Sequence, residues 1–207
     1  MKITADMLTV KPRKEPDAEY LQKRTEAVMR HFVSLGMKKT TLSDAVIPAI
    51  ARRELDFLGT QQPDFDPALR GALMMGNVGT GKTVLLQYAA LVLRVGYFDI
   101  TGLSTIYATG GDENFWSVMR DTMLTGHDLI LDDLGAEADT KRFGNQMPIV
   151  ELIYERYSLW KLTGARLWMA TNLTGAEIRT RYGDRVLDRL KEMCYVVPAT
   201  GTSLRKN

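Results

Sequence analysis

One eight-residue segment limits what this 207-residue chain can fold into more than any other. Residues 76–83 read Gly-Asn-Val-Gly-Thr-Gly-Lys-Thr, which satisfies the pattern G-x-x-x-x-G-K-[ST]. Glycine lets the backbone curl until successive N–H groups point at one phosphate, and a following helix adds its positive N-terminal end. The pattern predicts a phosphate-binding loop that consists of Gly76, Asn77, Val78, Gly79, Thr80, Gly81, Lys82 and Thr83.

Two side chains of this loop predict which ligand it holds. Lys82 can reach the β- and γ-phosphates of a nucleoside triphosphate, and the Thr83 hydroxyl can bind Mg²⁺. We therefore expect ATP and Mg²⁺ as cofactors. The alternative is a glycine-rich turn with an incidental lysine, but a strand candidate precedes the motif and an apolar helix candidate follows it.

Short apolar strands alternate with helices from Gly71 onward. The strand candidates are residues 72–75, 97–100, 129–131, 166–170 and 194–197. The helix candidates between and after them are residues 83–94, 113–124, 144–162, 175–181 and 184–192. This alternation predicts an α/β fold, a parallel sheet with helices on both faces.

The first 70 residues follow another pattern. Apolar residues at helical spacing predict a helix over 17–35 that ends before Gly36, and a second helix over 48–58 begins at a proline, which suits a first turn. Residues 59–70 contain two prolines and are expected to form a linker. We therefore divide the chain into a small helical N-terminal region, 1–70, and a nucleotide-binding domain, 71–207.

Acidic residues follow the apolar strand at 129–131. Asp132 is the expected Mg²⁺ partner, and Asp133 could orient or deprotonate an attacking water. Aspartate is one methylene shorter than glutamate, so the reach of Asp133 to that water stays open. Both residues could instead cap the strand.

Polar residues also lie at the ends of later elements. Asn172 follows a strand and could bond a γ-phosphate or a water, although it could equally cap the next helix. Arg185 and Arg189 lie four residues apart on one helical face. They could pair with nearby aspartates or act on the nucleotide of a neighbouring subunit.

The order of these motifs resembles the DnaC/IstB-like AAA+ ATPases. The resemblance rests on the phosphate loop, then Leu-Ile-Leu-Asp-Asp-Leu-Gly-Ala-Glu, then Ala-Thr-Asn-Leu, then Gly-Asp-Arg-Val-Leu-Asp-Arg-Leu, and it covers residues 71–205. It implies an AAA+ P-loop fold with a five-stranded parallel sheet flanked by helices. It also implies that Asn172 is the sensor-1 residue and that Arg189, or Arg185, is an arginine finger acting in trans. Because only 18 residues follow Arg189, we expect no C-terminal helical lid.

The same resemblance implies partners for the chain. Family members include replicative helicase loaders, which assemble on single-stranded DNA with ATP between the protomers of a homo-oligomer. The N-terminal region would then contact the helicase. Open alternatives are an IstB-like transposition helper, a non-hydrolysing ATP-switch scaffold and a small-molecule P-loop kinase, which would need an acceptor pocket and an arginine-rich lid.

Composition excludes several other classes. The chain has no long uncharged apolar run, and its single cysteine and two histidines offer neither an internal disulfide nor a zinc site. The N-terminus lacks the apolar core of a secretory signal. We therefore expect a cytoplasmic protein without a membrane partner.

Overall fold

The computed structural model describes residues 17–59, 70–124, 127–137, 148–201 and 203–204. The helices in these ranges are α1 Ala18–Ser34, α2 Thr41–Gly59, α3 Lys82–Leu93, α4 Ile100–Leu124, α5 Pro148–Thr163, α6 Gly175–Tyr182 and α7 Asp184–Met193. The strands are β1 Gly71–Gly76, β2 Gly96–Asp99, β3 Leu129–Leu134, β4 Leu167–Thr171 and β5 Cys194–Ala199. None of the helices described here combines the length and the apolar character that crossing a membrane requires.

The five strands form one parallel sheet in the order β2-β3-β4-β1-β5. This confirms the predicted α/β class and the five-stranded parallel sheet. The glycine-rich loop follows the carboxyl end of β1, and the acidic residues lie at the carboxyl end of β3. Because β4 lies between these two strands, the residues that follow β1, β3 and β4 meet at one edge of the sheet.

Apolar side chains cover both faces of the sheet. On one face, Leu73, Leu131 and Met169 pack with residues of α4, α5, α6 and α7. On the other face, Met74 and Trp168 pack with residues of α1, α2 and α3. Neighbouring residues of a strand point to opposite faces, so each strand contributes to both cores. The helices α1 and α2 therefore share a core with the sheet.

A buried ion pair joins α2 to the sheet. The guanidinium of Arg53, which is 2% exposed, donates from Nε to Asp128 Oδ2 at 2.9 Å. Asp128 precedes β3 and is fully buried, and it also accepts bonds from Trp168 Nε1 at 3.0 Å and from the Arg166 N–H at 2.9 Å. These four groups satisfy one another's hydrogen-bonding capacity, and the opposite charges of Arg53 and Asp128 are paired in the interior. The bonds fix the position of α2 on the sheet. The linker predicted over 59–70 falls mostly on residues 60–69, outside the described ranges.

One predicted helix was too short, and one helical segment was not predicted. The second helix begins at Thr41 rather than at Pro48, because Thr40 and Ser43 bond each other's backbone N–H groups and cap it earlier, leaving Pro48 inside. The helix predicted over 113–124 corresponds to the second part of α4; the non-helical Gly111, with φ 73° and ψ −164°, separates it from a first part that begins at Ile100 and was not predicted. Asp99 caps that missed first half by accepting the Gly102 N–H at 3.1 Å.

The other predicted elements lie close to their observed bounds. The predicted start of the long helix at 144–147 falls outside the described residues, and the described part of that helix begins at Pro148.

Candidate nucleotide-binding site

Residues 76–83 connect β1 to α3 and fold back over the start of that helix. Gly79 and Gly81 have φ values of 82° and 93°, in the left-handed region that favours glycine. The loop encloses the ammonium group of Lys82, which donates to the carbonyl oxygens of Gly76 at 2.8 Å and Asn77 at 2.7 Å. The curl and the central cation are the arrangement that the motif predicts.

Three polar side chains connect the ends of β1, β4 and β3. Lys82 Nζ donates to Asn172 Oδ1 at 2.8 Å, and Asn172 Nδ2 donates to Asp133 Oδ1 at 2.9 Å. Asn172 is not the cap of α6, because Thr174 Oγ1 accepts the Glu177 N–H there. The asparagine therefore faces the phosphate loop, as its candidate role requires.

Asp132 lies beside this group in β3, where it pairs with Asp99 of β2. Its side chain is 4% exposed, and Oδ2 accepts a bond of 2.7 Å from the hydroxyl of Tyr97 on β2. Burial and this bond hold the pKa of Tyr97 well above its ordinary value, so the hydroxyl keeps its proton and remains a donor. The bond fixes one carboxylate oxygen of Asp132.

Asp133 follows with a left-handed backbone, φ 62°, which is uncommon for a residue with a side chain. Burial raises the pKa of its carboxyl, and the charges of Asp132 and Asp99 raise it further, while Lys82 opposes them. Burial also lowers the pKa of Lys82. A carboxylate with a raised pKa is a better proton acceptor than an ordinary aspartate.

A cavity of about 430 Å³ opens over these groups. Its lining includes most of the loop, from Val78 to Thr83, together with Asp132, Asp133 and Asn172. The lining also includes residues of α1, of the α1–α2 connection and from near the C-terminus: Phe32, Gly36, Met37, Lys38, Thr40 and Leu204. The volume lies in the range of small-molecule sites, about 300–1,000 Å³.

The donor set fits Mg²⁺ held together with a nucleotide. Thr83 and Asp132 both line the cavity, so a hydroxyl and a carboxylate are available on one side of it. Within the described ranges, no group of three or more His, Cys, Asp or Glu side chains could hold a metal by itself. Mg²⁺ is bound in this way at many nucleotide sites, through one or two carboxylates and the substrate's own phosphates.

Comparison with known proteins finds solved structures of similar architecture. No family model and no curated protein matches the sequence. Among solved structures, DnaI matches with a TM-score of 0.58 and 16% identity over 81% of this chain and 86% of its own. A protein described as a primosome component from Streptococcus pyogenes serotype M3 matches with a TM-score of 0.53 and 18% identity, over 81% and 84%.

AMPPCP-bound DnaA from Aquifex aeolicus matches with a TM-score of 0.55 and 18% identity over 78% of this chain. The match spans 47% of the DnaA chain, about half its length. The chain shares its fold with these proteins. These likenesses support the resemblance found in the motif order, and at identities this low they show the fold alone.

Two arginines lie apart from this cavity. Arg185 is exposed on α7, and neither it nor Arg189 lines the cavity of its own chain. The guanidinium carbon of Arg189 lies 4.0 Å from the ring centroid of Tyr154 and 5.1 Å from that of Tyr157, both on α5. Cation–π contacts therefore hold Arg189 in place on the α5–α7 side of the fold.

The sequence patterns did not predict several residues of this candidate site. Tyr97 reaches Asp132 from the neighbouring strand, and no motif marks it. Phe32 and Met37 belong to a segment more than 35 residues before the phosphate loop, and only the packing of α1 and α2 on the sheet brings them to the cavity. Leu204 reaches the loop through its N–H, which donates to the Gly79 carbonyl at 2.8 Å.

Proposed function

We propose that this protein is a cytoplasmic, Mg²⁺-dependent AAA+ ATPase that acts as a helicase loader in DNA replication. One observation carries the ATPase part of the proposal: Lys82, Asn172 and Asp133 form a bonded series across the phosphate loop, beside Asp132. A cation, an amide and, with Asp132, two carboxylates therefore lie together beside the loop, which are the groups that binding and hydrolysing a triphosphate would require.

Each of these residues has a role in hydrolysis under this proposal. The backbone N–H groups of the loop and Lys82 bind the triphosphate, and Thr83 and Asp132 hold Mg²⁺. The bound ion supplies positive charge that offsets the charge developing on the phosphates. Asp133 takes the proton of the attacking water, and Asn172 holds the carboxylate of Asp133 and the water in line.

The position of Arg185 and Arg189 outside the cavity of their own chain supports assembly into a homo-oligomer. Arg189 and Arg185 do not line the cavity of their own chain, so an arginine from α7 completes the charge stabilisation only by acting on the ATP of a neighbouring protomer. The nucleotide would lie between protomers. Hydrolysis would then depend on assembly, and therefore on protein concentration.

The loader part of the proposal draws on resemblance. The motif order is similar to that of helicase loaders, and two of the matching structures are DnaI and a primosome component. We propose a replicative helicase and single-stranded DNA as partners. In the proposed division, 71–207 hydrolyses ATP and 1–70 contacts the helicase through the outer faces of α1 and α2, because their inner faces lie in the core.

Loading can be tested with the full chain and the purified replicative helicase of the same organism. We expect the protein to transfer the hexameric helicase onto circular single-stranded DNA, and Asp133→Asn to abolish ATP turnover. The matched control is Asp44→Asn, which changes an exposed carboxylate of α2 outside the cavity.

Two results would contradict the proposal. ATP turnover in Asp133→Asn equal to that of the control would remove the assigned base. Failure to bind or load the helicase would remove the loader role, and stimulation of a transposase instead would favour a transposition helper.

A further inference from the structure

Glu137 is a buried carboxylate that the proposed mechanism does not use. It ends the Asp-Asp-Leu-Gly-Ala-Glu segment, four residues after Asp133, and is 5% exposed. Its Oε2 accepts the Gly135 N–H at 2.9 Å, and its Oε1 accepts a bond from the Tyr182 hydroxyl. A buried carboxylate with specific donors on both oxygens fixes the groups that it bonds.

The left-handed backbone conformation of Asp133 needs neighbouring hydrogen bonds that stabilise it. A residue with a side chain keeps a left-handed conformation only where its surroundings impose it. Here the Ala136 N–H donates to the Asp133 carbonyl at 3.0 Å, and Thr171 Oγ1 donates to the Leu134 carbonyl at 2.6 Å. Between these two bonds, Glu137 holds the Gly135 N–H, so the turn after Asp133 is secured at consecutive residues.

The far end of α6 anchors Glu137. Besides the Tyr182 hydroxyl, the guanidinium of Arg181 donates to the Glu137 carbonyl oxygen, and its Nε lies 3.5 Å from Glu137 Oε1. The segment before α6 contacts the same turn, since Asn172 bonds Asp133. The far end of α6 and the segment that precedes the helix are therefore both bonded to the turn that carries Asp133.

We propose that Glu137 is a positioning residue that holds Asp133 in its left-handed conformation, with its carboxylate against Asn172, by tying the turn to Tyr182 and Arg181. This inference rests on the proposed function, because it assumes that Asp133 acts on the water. Glu137 itself is not among the residues that line the cavity.

The test compares Glu137→Ala, Glu137→Gln and Tyr182→Phe in the full-length protein. Glutamine keeps an oxygen for the Gly135 N–H and an amide that can donate to the Tyr182 oxygen, so Glu137→Gln should retain most of the turnover. Glu137→Ala should lower kcat by about 100-fold, the scale of a misplaced catalytic group, with ATP affinity within about twofold of wild type. Tyr182→Phe should have an intermediate kcat.

A second readout does not depend on turnover. Hydrogen exchange of the Gly135 amide, followed by NMR, should become faster in Glu137→Ala, while the amide of Leu131 in β3 stays protected. The matched control is Tyr88→Phe, which removes another buried hydroxyl bond, from Tyr88 to the Val28 carbonyl at 2.8 Å, away from Asp133. It should lower stability and leave both kcat and Gly135 exchange unchanged.

The outcomes separate this inference from the proposed function. Wild-type turnover that needs Asp133, together with full turnover and a protected Gly135 amide in Glu137→Ala, would overturn the role of Glu137 alone. A kcat loss in Glu137→Ala matched by Tyr88→Phe would show a general loss of stability and would also overturn it. Absence of turnover in wild type under every assembly condition would overturn the proposed function and this role together.

Discussion

At the scale of single residues, the site depends on hydrogen bonds that orient its charged groups. Lys82, Asn172 and Asp133 are bonded in series, and Asp132 is held from the side by Tyr97. The glycine spacing and the paired aspartates predict the charged groups. The bond from Tyr97 could not be predicted, because it depends on how β2 pairs with β3.

The Tyr97 hydroxyl should affect the affinity for Mg²⁺ more than the affinity for the nucleotide. In Tyr97→Phe the Asp132 carboxylate loses the hydroxyl that orients it, and the Mg²⁺ concentration for half-maximal ATP binding should rise by about tenfold. Nucleotide binding without Mg²⁺ should be unchanged. Titration of Mg²⁺ with a fluorescent ATP analogue measures both, with the exposed Tyr20→Phe as control. Equal Mg²⁺ dependence in the two variants would contradict the account.

The raised pKa of Asp133 predicts the acid side of the rate profile. The base must be deprotonated to act, so kcat should fall as the pH drops through the raised pKa of Asp133, above the range of an ordinary aspartate at about 3.9. A pH series of kcat at saturating Mg²⁺ and ATP measures this. A rate that stays flat down to the ordinary aspartate range would remove Asp133 as the base.

At the scale of elements, alternating apolar strands and helices predict the sheet well, and local capping decides where the predictions were wrong. Thr40 and Ser43 start α2 before Pro48, and Asp99 starts α4 in a segment whose glycines and threonines favour helix weakly. The contribution of α1 and the α1–α2 connection to the cavity wall could not be predicted from any motif, because it follows from tertiary packing alone.

The pair of Arg53 and Asp128 should anchor α2 strongly. Arg53→Met removes the cation that is bonded to the buried Asp128 carboxylate, which should cost about 3–5 kcal/mol of unfolding free energy. Lys23→Met breaks an exposed pair with Glu19 on α1 and should cost at most about 1 kcal/mol. Urea unfolding measures both values. A cost for Arg53→Met as small as that of the control would show that α2 does not depend on the ion pair.

At the scale of the whole molecule, the fold separates the nucleotide cavity from the α5–α7 side that carries Arg189. The two would complete one site only across an interface between protomers. A mixture of Lys82→Ala and Arg189→Ala proteins should therefore hydrolyse ATP faster than either variant alone, because some interfaces then join an intact loop to an intact arginine.

Steady-state ATPase assays of the mixture against each variant measure this complementation. Arg30→Ala, which changes an exposed arginine of α1, serves as the control and should behave as wild type. Full activity of Arg189→Ala alone at every protein concentration would contradict a trans role.

The central claim is that residues 76–83 cradle a triphosphate around Lys82, and equilibrium binding of a fluorescent ATP analogue tests it most directly. Loss of charge-assisted bonds in Lys82→Ala should weaken binding by about 10- to 150-fold, corresponding to about 1.5–3 kcal/mol, while Lys23→Ala should bind as wild type. Wild-type affinity in Lys82→Ala would contradict the account.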